Sequence, residues 1–332
     1  MDTFRAWTVS TGDDGRGGEA ALVDLRPTDL DDLPVELEVV ASSLNYKDAL
    51  ALGGRPGVVR RSPLVAGIDV VGEVTASRDD RFAPGDVVTL NGAGLGETLH
   101  GGLAAAARVP ADPLVAVPRP FSAMQAAAIG TAGLTAALAV LALRDAELGP
   151  EDSPVLVTGA GGGAGSLAIV LLAACGWEVH ALTGRPDELG AGLRDLGAHE
   201  VIARSELEGH GRPLRTSRWG AVVDGVGGQI LAGALASLRD GGAAAAYGMA
   251  AGAELPTTVM PFILRGVSLL GVNSVTIGAD RRAEAWALLA EHLDPARLDA
   301  ITRTIPLADE RDEAARMLEG AGTGRVVVDV RR

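Results

Sequence analysis

Residues 155–166, VLVTGAGGGAGS, constrain the fold more than any other stretch. A β-branched run passes directly into a glycine-rich turn, and the turn passes directly into the apolar helical segment GAGSLAIVLLAACG. Small residues stand at Ala160, Gly162 and Gly165. These are the places where a backbone must turn tightly, come close to a pyrophosphate, and let a helix pack on its strand. The helix N-terminus then offers unpaired N–H groups and a positive dipole end to phosphate. In a chain with 45 glycines the turn alone says little, but its sequel says much. WEVHALTG, DELGAGLRDLG, HEVIA, WGAVVDGVGG, ILAGALASLRDGG and AAAAYG alternate strand-like and helix-like patterns. Such alternation predicts an α/β fold with a doubly wound parallel sheet of the Rossmann type.

The flanks follow a different rhythm. VELEVVASSL, PLVAGIDVVGEV and PGDVVTL are β-branched runs punctuated by Gly and Pro, which predict a β-rich, partly barrel-like domain. PRPFSAMQAAAIGTAGLTAALAVLAL predicts one long apolar helix with Ser122 as its N-cap. VSLLGVNSV predicts a last strand for the parallel sheet, and GRVVVDV a closing strand beyond two further helices. With 332 residues the chain exceeds what one core usually holds. The expected organisation is a Rossmann domain over 123–275 inserted into a discontinuous β-rich substrate domain, 1–122 and 276–332.

A formal charge of −14 argues against a nucleic-acid partner, while a few placed arginines can still receive a small anion. The single cysteine, Cys175, falls in the helix after the glycine turn. The five histidines (His100, His180, His199, His210, His292) show no ligand spacing, so no catalytic zinc is expected. The N-terminus carries no basic-then-apolar segment, and no uninterrupted apolar run reaches about 18 residues. A cytoplasmic protein without a membrane partner is expected.

The tip of the second strand selects the cofactor. An NAD site usually carries Asp or Glu about 20 residues after the turn, holding the ribose 2′-hydroxyl. Here the tip is Thr183–Gly184–Arg185. A hydroxyl, exposed N–H groups and a guanidinium suit a 2′-phosphate, so NADP is expected. Arg204, after the third strand, is placed to reach the same phosphate.

The stretch SSLNYKDAL, residues 42–50, concentrates residues this chain otherwise avoids. Lys47 is the only lysine, Tyr46 one of two tyrosines, and Asn45 one of three asparagines. Tyr46 can donate a hydrogen bond or proton, or only contact the cofactor. Asn45 can donate through its amide or cap the local backbone. Lys47 can meet a phosphate or carbonyl, or form an ion pair. Arg55, Arg60 and Arg61 follow in GGRPGVVRRSP, either as receivers of phosphates or as solvated loop residues.

SSLNYKDAL, GIDVVG, GTAGLTAAL, LTGR, VVDGVGG, PTTVMPFILRGVSLLGVNS and GRVVVDV together resemble the medium-chain dehydrogenase/reductase superfamily. Within it they are similar to the zinc-free acrylyl-CoA reductases often labelled quinone oxidoreductases. The resemblance implies a GroES-like substrate domain and NADPH-dependent reduction of an activated double bond, with hydride delivered to the β carbon. It implies Tyr46 at the nicotinamide, and Gly162, Gly163, Ala164 and Gly165 at the phosphates. It implies Tyr247, Gly248, Met249 and Ser274 at the nicotinamide end, and a homodimer through the last Rossmann strand. Zinc-dependent relatives carry a cysteine ligand where Asn45 stands. The loop GAGLGETLHGG, residues 92–102, departs from the family's GWGVGENHWGG, so Leu99 and His100 are expected to reshape the substrate pocket. Tyr247 stands where the family more often has cysteine. Two other readings stay open: a reductase of free enones, quinones or a specialised metabolite without CoA, and a non-catalytic NADPH-binding sensor or scaffold.

Overall fold

The computed structural model describes residues 2–11, 18–209 and 212–332. These fall into two compact units, Met1–Leu134 with Ser274–Ala290 and Asp294–Arg332, and Thr135–Asn273 with Glu291–Leu293.

The second unit is built on a six-stranded sheet. Its order is Ala198–Ala203, Val179–Thr183, Val155–Thr158, Trp219–Asp224, Leu238–Ala246, Ser268–Gly271, with every neighbouring pair parallel. Numbered along the chain this is 3-2-1-4-5-6, the dinucleotide-fold order. The three central strands are buried along their whole length, which is why their sequences are continuous apolar runs rather than alternating ones. The helix Gly163–Ala174 returns the chain from the first strand, and Gly228–Ala236 returns it from the fourth. Between those two strands the winding reverses, so their C-terminal ends frame the switch-point crevice. One core cluster of this unit joins Leu156, Leu182, Trp219, Val222 and Leu235.

In the first unit the strand Arg325–Asp329 pairs antiparallel with Val35–Ser43, Val327 facing Ser43. It pairs parallel with Thr302–Pro306 on its other side. Val35–Ser43 also pairs with Asp69–Ser77, and Asp69–Ser77 with Val87–Asn91. The end of the chain therefore completes a sheet begun near its start, as the discontinuous organisation requires.

One expected element differs. Ser122 caps the apolar helix reciprocally with Gln125, as predicted, but the segment Ala123–Asp145 is two helices broken at Gly130 (φ 48°, ψ −158°). Asp69 caps the second piece from the neighbouring strand. Its carboxylate accepts the Thr131 N–H at 2.9 Å and the Thr131 hydroxyl at 2.7 Å. The sequence pattern reads straight through, because one glycine in a helix costs only about 1 kcal/mol. Among the described residues this is the one helix long and apolar enough to cross a bilayer, yet 89% of its apolar window is buried within the fold.

Candidate active site

In the second unit the expected cofactor residues gather at the C-terminal ends of the parallel strands. Gly159 turns with φ 61°, and a Cβ on Gly165 would stand 2.3 Å from the Gly159 carbonyl oxygen. Only glycine lets the helix approach the strand this closely. The first helical hydrogen bond runs from Ser166 N–H to Gly162, so the N–H groups of Gly163, Ala164 and Gly165 precede it. That end of a 12-residue helix offers N–H groups of the kind that can receive a phosphate.

At the next strand tip, Thr183 Oγ1 accepts the Arg185 N–H at 3.2 Å. The Arg204 guanidinium lies over Gly184, where a Cβ would touch its Cζ at 3.5 Å. Thr183, Gly184, Arg185 and Arg204 thus form one corner, as the sequence suggested. The arginines are paired with acids: Arg185 with Glu188 at 3.2 Å and Arg204 with Glu208 at 2.7 Å.

At the switch point, Thr158 Oγ1 donates to Asp224 Oδ1 at 2.6 Å and ties the first strand to the fourth. Asp224 also accepts the Gly227 N–H at 2.8 Å, and burial raises its pKa against these bonds. Tyr247 donates its N–H to the Asp224 carbonyl and lies against Gly225, where a Cβ would meet the phenol oxygen at 2.6 Å. Gly248 packs equally closely on the Gly225 carbonyl, and Met249 is 69% exposed. Burial, with Asp224 second, pushes the Tyr247 phenol well up, so it stays a neutral hydrogen-bonding group. Thr158 and Asp224 were missed in the sequence. Their signal is a lone hydroxyl and a lone carboxylate ending two otherwise apolar strands.

In the first unit Asn45 is the N-cap of the helix Tyr46–Leu52. Its amide donates to Asp69 at 2.7 Å and Asp48 at 3.1 Å, and its carbonyl oxygen faces Arg325 at 3.4 Å. The amide hydrogens are spent inside this buried network. Asn45 thus holds the N-cap position while its side chain is engaged by Asp69, Asp48 and Arg325. Asp48 returns the cap by accepting the Asn45 N–H at 2.9 Å, and it also accepts from Ile68 at 2.8 Å. Burial first and Asp69 second push Asp48 up to about 7 against those bonds. Tyr46, in the first helical turn, is 52% exposed.

Lys47 is ion-paired with Glu97 of the 92–102 loop at 2.6 Å. Arg60 lies 3.9 Å from the same carboxylate, and its N–H donates to the Glu97 carbonyl. Arg61 grips Asp31 through two bonds of 2.7 and 3.1 Å. Asp31 in turn accepts the backbone N–H of His100 at 3.4 Å. His100 Nδ1 accepts the Val65 N–H at 3.1 Å, which leaves the proton on Nε2, and burial lowers its pKa below the usual histidine value. Leu99 packs on the core of this unit. Arg60, Arg61, Leu99 and His100 therefore share one neighbourhood. Arg55 lines a separate small groove with Pro56 and Gly57. Ser274, expected inside the Rossmann stretch, groups with the β-rich unit, its carbonyl packing on Gly92.

Among the described residues no group of three His, Cys, Asp or Glu side chains could hold a metal ion, and His210 lies outside them. At Asn45 an amide already donates to carboxylates beside a buried guanidinium, a set that does not suit zinc.

The alcohol dehydrogenase GroES-like domain family matches residues 31–119, and the zinc-binding dehydrogenase family matches residues 163–291. An acrylyl-CoA reductase of Ruegeria pomeroyi is 46% identical over 98% of this chain and 99% of its own. The chain belongs to the medium-chain dehydrogenase/reductase family. A putative quinone oxidoreductase of Bacillus subtilis is 42% identical, over 92% of this chain and 94% of the relative. Among solved structures, the yhdH oxidoreductase of Salmonella enterica in complex with NADP superposes with a TM-score of 0.94. It is 43% identical, over 98% of this chain and 99% of that one. The Bacillus subtilis protein yhfP with NAD bound also reaches 0.94, at 39% identity over 99% and 100%. This family member is an oxidoreductase, and the reading as a non-catalytic sensor or scaffold falls away.

Proposed function

We propose that the protein is an NADPH-dependent, zinc-independent reductase of an activated carbon–carbon double bond, in an enoyl thioester of the acrylyl-CoA kind. The observation that carries this reading is the corner of Thr183, Gly184, Arg185 and Arg204 beside the glycine cradle. It offers a hydroxyl and two guanidiniums where an NAD site would offer a carboxylate. Kinship to an acrylyl-CoA reductase over nearly the whole chain supports the substrate class.

When bound, NADPH supplies the hydride that goes to the β carbon. The chain does the rest. Gly162, Gly163, Ala164 and Gly165 hold the pyrophosphate on a helix N-terminus, and the arginine corner holds the 2′-phosphate. Tyr247, Gly248 and Met249 flank the nicotinamide end with a neutral phenol. Tyr46 presents its hydroxyl from the first turn of its helix, to steady the enolate charge or protonate the α carbon. Asn45 acts through position, fixing where that turn begins. Leu99 and His100 shape the acyl pocket, and Arg55 and Arg60 meet the phosphates of the CoA moiety. A free enone or quinone as substrate is favoured by one observation: Arg61, the third arginine of that set, is held by both oxygens of Asp31.

The test is NADPH oxidation with acrylyl-CoA, a free enone and a quinone, in the presence of a strong chelator. Acrylyl-CoA should give the highest kcat/KM and should be unaffected by the chelator. NADPH should bind at least about tenfold more tightly than NADH, a difference of about 1.4 kcal/mol. Tyr46→Phe should lower kcat by about ten- to a hundredfold, the usual cost of one lost donor. Equal affinity for the two cofactors would refute the cofactor assignment. Activity lost on chelation and restored by zinc would refute metal independence.

A further inference from the structure

Both arginines of the phosphate corner are engaged by carboxylates. Arg204 Nε donates to Glu208, four residues further along, at 2.7 Å, and Arg185 meets Glu188 at 3.2 Å. All four side chains are between a third and two-thirds exposed, so these are surface pairs of small intrinsic strength. Glu208 does one further thing. It holds the Arg204 guanidinium in the place where it covers Gly184.

We propose that Glu208, with Glu188 as its counterpart, sets how strongly this chain prefers NADPH over NADH; the inference rests on the cofactor reading above. A phosphate monoester carries between one and two negative charges at neutral pH, and to reach either guanidinium it must share it with a carboxylate. The resulting repulsion acts on NADPH alone, because NADH brings an uncharged hydroxyl to the same corner. The carboxylates are therefore a built-in brake on phosphate affinity that leaves NADH untouched. Solved relatives of 39–43% identity hold NADP in one case and NAD in another.

Glu208→Gln separates charge from geometry. The amide oxygen can still accept from Arg204 Nε, while the repulsion disappears. Dissociation constants for NADPH and NADH, read by cofactor fluorescence, should show NADPH binding about three- to tenfold more tightly in Glu208→Gln, with NADH unchanged. Glu188→Gln with Glu208→Gln should tighten NADPH further. The gain should shrink as salt is raised, because exposed charges are screened within about 10 Å at 0.1 M ionic strength. A Kd for NADPH that is unchanged or higher in Glu208→Gln would make Glu208 a simple anchor and overturn the inference. So would weaker NADH binding, which would assign the carboxylate to the ribose hydroxyl. Arg204→Ala and Arg185→Ala are the separate check on the cofactor reading. If neither alters the ratio of NADPH to NADH affinity, that reading fails. If they lower it while Glu208→Gln tightens nothing, only the present inference fails.

Discussion

Gly130 shows how much a single residue can carry here. Its φ of 48° lies in the left-handed region, and its Cβ position is already occupied from several sides. A methyl group there would stand 2.6 Å from an Asp69 oxygen, 2.6 Å from Ser43 Oγ and 2.9 Å from an Arg325 nitrogen. All three belong to the buried network that also holds Asn45, so strain at Gly130 would reach the cap of the Tyr46 helix. Gly130→Ala should cost roughly 3–5 kcal/mol, combining backbone strain with a broken buried network. Thermal unfolding read by circular dichroism should show a fall in Tm of roughly 4–7 °C, that cost divided by an unfolding entropy of about 2.1 cal/mol/K per residue. An unchanged Tm would mean that the helix runs through this position unbroken. Neither Gly130 nor Asp69 announces its role in the sequence, because the bond from Thr131, beside Gly130, to Asp69 spans 62 residues of chain.

At the scale of elements, the Tyr46 helix and the 92–102 loop are held together by one ion pair. The loop turns through positive φ at Gly92, Ala93, Gly94 and Gly96, and the Gly94 carbonyl gathers the N–H groups of Glu97, Thr98 and Leu99. Glu97 is almost buried, its side chain 9% exposed, whereas Lys47 is 34% exposed. The two halves of the pair are therefore unequal. Lys47→Met strands a buried carboxylate with only Arg60 at 3.9 Å to answer it, while Glu97→Gln leaves a lysine that can turn to water. Lys47→Met should loosen the loop by about 1–2 kcal/mol, and amide exchange at 94–99 should quicken about tenfold. Glu97→Gln should change it less, and Lys47→Arg should largely restore it. Equal exchange in all three variants would show that the loop is held by its own turns. The sequence singled out Lys47 by rarity, but its partner lies 50 residues away, and nothing local marks Glu97.

For the whole molecule, the sheet of the second unit ends at Ser268–Gly271, paired on one side only, with Leu269 exposed on it. Val259, Ile263 and Leu264 are each more than half exposed in the segment just before it. An open strand edge beside an apolar surface is what a second copy of the same edge would cover. We propose that the protein is a homodimer through this edge. Ile263→Glu combined with Leu264→Glu should shift it to monomer in sedimentation velocity, with the fold unchanged by circular dichroism. A native protein sedimenting as a monomer at micromolar concentration would end that proposal.

What the sequence determined by itself is local or periodic. The strand–turn–helix at 155–166 requires only neighbouring residues, and the alternation after it reflects hydrophobic period, so the parallel sheet and its glycine turn were legible. The same holds for the place of the LTGR tip at a strand end and for the Ser122 cap. Tertiary structure alone decided which of the other distant groups meet. Asp69 caps a helix from another element, and Thr158 finds Asp224 across 66 residues. It also turned the Asn45 amide toward the carboxylates of Asp69 and Asp48, the first of them 24 residues away. The physical reason is common to these cases. A buried polar group must find its partner wherever the packed chain brings one, and sequence spacing carries no record of that meeting.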